Sequence, residues 1–111
     1  MNKGMHLLVY PVKDLTKAKK LYSEVLGVEP YADTAYYVGF RVGDQEFGLD
    51  PRGEGPGPIA YWEVEDARAS LQKLLDAGAQ VQQDVKDVGG GLLIATVKDA
   101  DGNVLGLRQT H

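Results

Sequence analysis

From Met5 to Val12 the chain is nearly continuously apolar and closes at Pro11, a pattern that predicts a buried strand ending just before a turn. The period then changes. Leu15, Ala18, Leu21, Tyr22, Val25 and Leu26 recur at helical spacing behind Asp14, which has the chemistry of an N-cap, and Gly27 offers the left-handed backbone that stops a helix. Between Tyr36 and Asp50 the period falls to two: Tyr36, Val38, Phe40 and Val42 share one parity, and Phe47 and Leu49 resume it beyond Gly43-Asp44. This predicts a hairpin in which Val42 pairs with Gln45, Arg41 faces Glu46, Gly39 faces Gly48 and Tyr37 faces Asp50. One side of that hairpin is greasy; the other is polar and carries the glycines.

A run of breakers follows, Pro51-Arg52-Gly53-Glu54-Gly55-Pro56-Gly57-Pro58, and beyond it the same order of signals begins again. Ile59 to Val64 reads as a strand, Asp66 as an N-cap, Ala67, Leu71, Leu74 and Leu75 as the apolar side of a helix, and Gly78 as its stop. Gln80 to Val85, Leu92 to Val97 and Val104 to Leu107 read as three more strands, joined by a loose Gly89-Gly90-Gly91 turn and a tight Asp99-Ala100-Asp101-Gly102-Asn103 turn. Val12-Lys13-Asp14 thus returns as Val64-Glu65-Asp66, and Gly27 as Gly78, so the chain holds two copies of one supersecondary unit. The expected organisation is a single domain over residues 1–111, with a first module at 1–52, a linker at 53–58 and a second module at 59–111. In each copy a helix covers the greasy sheet face, which gives an α+β class.

Composition narrows the partners. A length of 111 residues suits one domain with a real core. With a net charge of −4 and no Lys/Arg run there is no basic footprint for nucleic acid or an anionic membrane surface. The absence of cysteine removes disulfides, thiolate nucleophiles and Cys-bearing zinc sites together. The apolar run near the start is far shorter than a signal-peptide core or a membrane span, and the expected location is cytoplasmic.

Val12-Lys13-Asp14-Leu15, Leu21-Tyr22, Val25-Leu26-Gly27 and the closing Asp99-Ala100-Asp101-Gly102-Asn103 turn resemble the vicinal oxygen chelate superfamily of glyoxalases, extradiol dioxygenases, epimerases and bleomycin-resistance proteins. The resemblance spans essentially the whole chain. It implies two βαβββ modules whose sheets form a U-shaped trough of mixed and antiparallel strands, the glyoxalase-like fold, in a homodimer. It also implies where a metal would sit, because enzymes of the family bind a divalent ion with His and Glu from four strands. Those four positions correspond here to Leu7, Gly48, Ile59 and Gly106, and none can ligate through a side chain. The chain has only two histidines: His6, one residue out of register and so turned to the opposite face, and His111 at the end. Glu46, Asp50 and Glu63 point into the trough on this strand phase and would hold at most an adventitious ion. No metal and no other cofactor is therefore expected.

The same phase aims a mixed surface into the trough: Leu7, Val9, Tyr37, Arg41, Gly48 and Asp50 from the first module, and Tyr61, Glu63, Thr96, Lys98, Gly106 and Arg108 from the second. Aromatic rings, aliphatic patches and sparse charges suit a small organic ligand, although pairing within the surface, Arg41 with Glu46 above all, is the competing account. Trp62 falls on the helix-facing parity and is expected in the core. Gly89-Gly90-Gly91 leads into a strand rather than a helix and is no phosphate cradle. The favoured function is metal-independent binding of an aromatic or antibiotic-like molecule. The alternatives are a metal-free isomerase or lyase using Glu63, Tyr61, Tyr37 or Lys98 as acid and base, and a metal-dependent enzyme of the ordinary family kind. The sequence leans against catalysis and fixes no catalytic residue.

Overall fold

The computed structural model of the chain describes residues 2–52 and 57–110. Most of the breaker-rich linker, at 53–56, and His111 lie outside the described residues. The elements run β1 (Asn2–Pro11), α1 (Leu15–Leu26), β2 (Ala32–Asp33), β3 (Val38–Val42), β4 (Gln45–Asp50), β5 (Ile59–Val64), α2 (Ala67–Asp76), β6 (Gln80–Asp87), β7 (Leu93–Lys98) and β8 (Val104–Gln109). They fall into two compact units. One spans His6–Ile59, and the other takes the remaining described residues from Ala60 onward together with the opening of β1. Each unit has the order βαβββ and a mixed four-stranded sheet.

In the first unit the strand order is β2-β3-β4-β1, with β3 antiparallel to β4 and β1 parallel to it. The hairpin register agrees with the pattern of alternation: Val42 opposite Gln45, Arg41 opposite Glu46 and Gly39 opposite Gly48. The ladder starts at Val38, so Tyr37 lies one residue beyond it. Asp14 caps α1 by accepting from the Lys17 amide at 3.1 Å, and Gly27 ends the helix at φ 71°, a conformation that only glycine adopts without strain. The helix covers Val38, Phe40 and Leu49, around which Tyr10, Tyr22 and Phe47 pack edge to face. Two residues of β2 pair with Gly39 and Val38; no periodic signal in the sequence announces them.

In the second unit the order is β6-β7-β8-β5, again with the first strand parallel to the last. Asp66 caps α2 through the Ala69 amide at 3.0 Å, and the Gln109 side chain accepts from the Ala67 amide at 2.8 Å, so two acceptors serve one helix start. At the other end Ala79 N–H donates to the Leu74 carbonyl and Gly78 N–H to that of Leu75, the paired bonds of a Schellman stop. Val64, Ala67, Leu71, Ala95, Val97 and Leu107 form the core.

Trp62 corrects the expectation of a buried indole, since it is 37% exposed. Strand parity does turn it to the helix side, but α2 packs over β6, β7 and β8. A helix about 10 Å wide covers two to three strands spaced about 4.8 Å apart, and on β5 the core reaches Val64 at the strand's end while Trp62 stays partly exposed.

Candidate functional site

The residues expected to face a ligand lie on the side of each sheet away from its helix. In the first unit Leu7 and Val9 are buried, and Val9 stands beside Gly48 in the parallel ladder. Gly48 is also opposite Gly39, so the middle of this face is floored by bare backbone. Two tyrosines lie over it. A Cβ built on Gly48 would meet the hydroxyl end of Tyr37, with its Cζ 2.6 Å away, and one on Gly39 would lie 3.0 Å from the ring of Tyr31. Tyr37 is held by the turn in which Thr34 Oγ1 accepts from the amides of Tyr36 and Tyr37 at 3.1 Å. Tyr31 donates its hydroxyl proton to Glu46 at 2.6 Å and carries the Arg41 guanidinium 4.2 Å from its ring centre. Arg41 and Glu46 approach to 3.7 Å, so the cross-strand pair read from the register is present. Asp50 is engaged in its own turn, accepting from the Arg52 amide at 2.8 Å.

The second unit repeats the device. Tyr61 is next to Gly106 in the parallel ladder, and its ring lies where a side chain on Gly106 would go, with Cε1 2.5 Å and Cγ 2.7 Å from an ideal Cβ. Gly106 has Thr96 on its other side, buried and within 3.3 Å of the Gln82 amide nitrogen. One step along the strands, Glu63 pairs with Arg108, whose Nε donates to Oε1 at 2.9 Å. Thr110 closes the other oxygen, its amide donating to Oε2 at 2.9 Å and its hydroxyl at 2.7 Å. Glu63 and Arg108 are only 6% and 7% exposed. Burial pushes the Glu63 carboxyl up, but the bonds from Thr110 and Arg108 outweigh it, and the group sits below the usual glutamate value. Lys98 is exposed at the end of β7, opposite Val104 and away from these pairs.

The structure therefore gathers Val9, Tyr37 and Gly48 in one unit and Tyr61, Glu63, Thr96, Gly106 and Arg108 in the other, while Asp50 and Lys98 stand at the strand ends. Sequence reasoning did not pick out Tyr31 and Thr110. Tyr31 lies in a stretch without periodicity, although the facing glycines Gly39 and Gly48 signal that something must cover them; Thr110 follows the last strand and had no signal.

At the four positions that the resemblance assigns to metal ligands, the residues do not fit an ion. Leu7 and Ile59 offer only aliphatic carbon. At Gly48 and Gly106 not only is a ligating side chain missing, but the space its Cβ would occupy is filled by a tyrosine. Among the described residues no three His, Asp or Glu side chains are grouped to hold a metal ion.

Two βαβββ units, each with a helix on one sheet face and its first strand parallel to its last, define the class of protein. The chain belongs to the Glyoxalase/Bleomycin resistance protein/Dioxygenase superfamily, whose profile matches residues 4–107. Among solved structures it is similar to methylmalonyl-CoA epimerase from Mycobacterium tuberculosis, with 17% identity and a TM-score of 0.79 over 99% of this chain and 89% of that one. A hypothetical protein from Bacillus halodurans shares 14% identity with a TM-score of 0.79 over 99% and 95% of the two chains. The Mn(II)-bound glyoxalase from Novosphingobium aromaticivorans shares 19% identity with a TM-score of 0.76 over 98% of this chain but only 40% of that one. At these identities the likeness is one of fold. No curated protein matches the chain. Neither helix is long and apolar enough to cross a membrane, and none other occurs among the described residues.

Proposed function

We propose that this chain is a binding protein rather than an enzyme, and that it holds a small aromatic or antibiotic-like molecule on a helix-free sheet face without a metal or other cofactor. The observation that carries this reading is the tyrosine over each glycine, Tyr37 on Gly48 and Tyr61 on Gly106, at two of the four positions that the family resemblance assigns to metal ligands. Flat rings and buried aliphatic side chains such as Leu7 and Val9 supply apolar area, and a few polar groups set orientation. A metal-free isomerase draws no support from Glu63, its natural base: a carboxylate locked to Arg108 and Thr110 and held below its ordinary pKa is a poor proton acceptor. The acidic balance of the chain argues against nucleic acid and anionic membranes as partners, the lack of cysteine suits the cytoplasm, and the fold family supports a homodimer.

Thermal-shift titration against a panel of planar natural products, bleomycin-like and mitomycin-like compounds included, tests this, because a ligand that binds only the folded state raises Tm. Elemental analysis of the purified protein runs beside it. The expected result is a concentration-dependent rise in Tm with at least one planar compound and no stoichiometric metal. Stoichiometric Ni, Zn, Mn or Fe together with a turnover that chelation abolishes would refute it.

A further inference from the structure

The geometry points to a phenol-binding site in the first unit, formed by Gly39, Arg41 and Glu46, that the chain's own Tyr31 occupies and that a phenolic ligand fills by displacing it. Every feature that recognises a hydroxylated flat ring is present around the Tyr31 side chain. Gly39 presents bare backbone, so that the ring comes within 3.0 Å of where a Cβ would be. The Arg41 guanidinium lies 4.2 Å from the ring centre, within reach of the electron-rich face. Glu46 accepts the hydroxyl proton at 2.6 Å, a short charge-assisted bond.

The occupant stands at the sheet edge. Tyr31 is 47% exposed and leads into the two-residue β2, and the bonds of its segment include one from the Tyr31 amide to Gly39 O at 2.9 Å and an exposed Lys19–Asp33 ion pair. An exposed pair of that kind adds little, and a two-residue ladder opens at small cost. A ligand with a ring and a hydroxyl reproduces the Gly39, Arg41 and Glu46 contacts of the Tyr31 ring, whereas one lacking the hydroxyl gives up the hydrogen bond to Glu46. The inference rests on the binding reading above and names its ligand class: a planar aromatic bearing a free phenolic hydroxyl.

The probe is p-cresol, the tyrosine side chain as a free molecule, with toluene as the ring lacking the hydroxyl. Binding is read from the amide shifts of Gly39 and Gly48 in ¹⁵N-labelled full-length protein, for the wild type, Tyr31→Ala and Tyr31→Phe. A site filled by its own side chain about nine-tenths of the time shows an apparent Kd about tenfold weaker than its intrinsic one. Tyr31→Ala should therefore bind p-cresol about tenfold more tightly than the wild type, with Gly39 among the shifted amides and toluene weaker by a similar factor. Tyr31→Phe keeps the ring packing, guards against a folding failure of the alanine variant, and should fall between the two because its ring lacks the bond to Glu46. Equal p-cresol affinity in all three proteins overturns the inference, as does toluene binding as well as p-cresol. If p-cresol or a panel compound shifts only amides remote from Gly39, this site fails while the binding reading stands; if nothing binds any of the three proteins, both fail.

Discussion

Adding one methyl group at Gly106 tests whether the tyrosine-filled sheet face is packed as described. Gly106 is not among the positive-φ glycines, so an alanine there is under no backbone strain and any cost is steric. The added carbon would lie 2.5 Å from Tyr61 Cε1 and 2.7 Å from Cγ, whereas carbon atoms rest at about 3.5–4.0 Å, so the ring must retreat by about 1 Å. Tyr61 is 9% exposed and has little room to do so. Overpacking of this kind costs about 1–3 kcal/mol, and replacing a strand glycine by alanine returns about 0.5–1 kcal/mol, which leaves a net loss of about 1–2 kcal/mol. In a Tyr61→Ala background the obstruction is gone and the same Gly106→Ala change should be neutral or stabilising by about 0.5 kcal/mol. The coupling between the two positions is then about 2 kcal/mol, read from urea denaturation of the two single variants and the double variant. Gly48→Ala should cost less than Gly106→Ala, because Tyr37 is only half-buried and meets the glycine with the far end of its side chain. A Gly106→Ala penalty that is the same with and without the Tyr61 ring would refute the packing argument.

The Glu63–Arg108–Thr110 cluster makes a prediction about acid. Because the folded carboxyl sits below its ordinary value, its stabilisation is fully present above the unfolded glutamate pKa and is lost as pH falls through the folded one; urea midpoints measured down that range should fall, and Glu63→Gln should flatten the fall. At neutral pH Glu63→Ala should cost about 3–5 kcal/mol by removing the carboxylate that faces the buried Arg108, and Glu63→Leu/Arg108→Met should be less destabilised than that single change in the same denaturation assay. Asp14→Ala removes the only side-chain acceptor described at the start of α1 and should cost about 1 kcal/mol, whereas Asp66→Ala should cost less because the Gln109 side chain still serves α2. Trp62 should show a red-shifted emission that acrylamide quenches readily in the native protein; a blue-shifted, protected emission would mean that its side chain is covered.

Local chemistry in the sequence reaches surprisingly far into this fold, because each unit rests on signals that act over a few residues. The aspartate caps, the glycine stops and the Gly43-Asp44 turn determine where elements begin and end, and a period of two fixes the β3–β4 register, since a slip of one would expose Phe40 and Leu49. What parity cannot supply is lateral position. It turns Trp62 to the helix side without saying that α2 lies over the next three strands, and it is silent on β2, whose two residues are too few to carry a period.

The candidate site was legible as a set of absences and not as a set of contacts. Gly48 and Gly106 show from the letters alone that two ligating side chains are missing, but not that tyrosines have moved in. For Gly106 the information was within reach, since the parallel register places Tyr61 beside it; Tyr37 and Tyr31 come from outside the ladder and needed the folded chain. The distinction bears on what it would take to build a metal site here. A glutamate at position 106 is an overpacking substitution against Tyr61 before it is a ligand, and one at position 48 meets Tyr37 in the same way. Each carboxylate requires a tyrosine to leave as well as a glycine to change, and Leu7 and Ile59 would both have to become ligating residues too. Four separate positions therefore stand between this chain and the family's metal site, and at two of them the obstacle is a ring already in place.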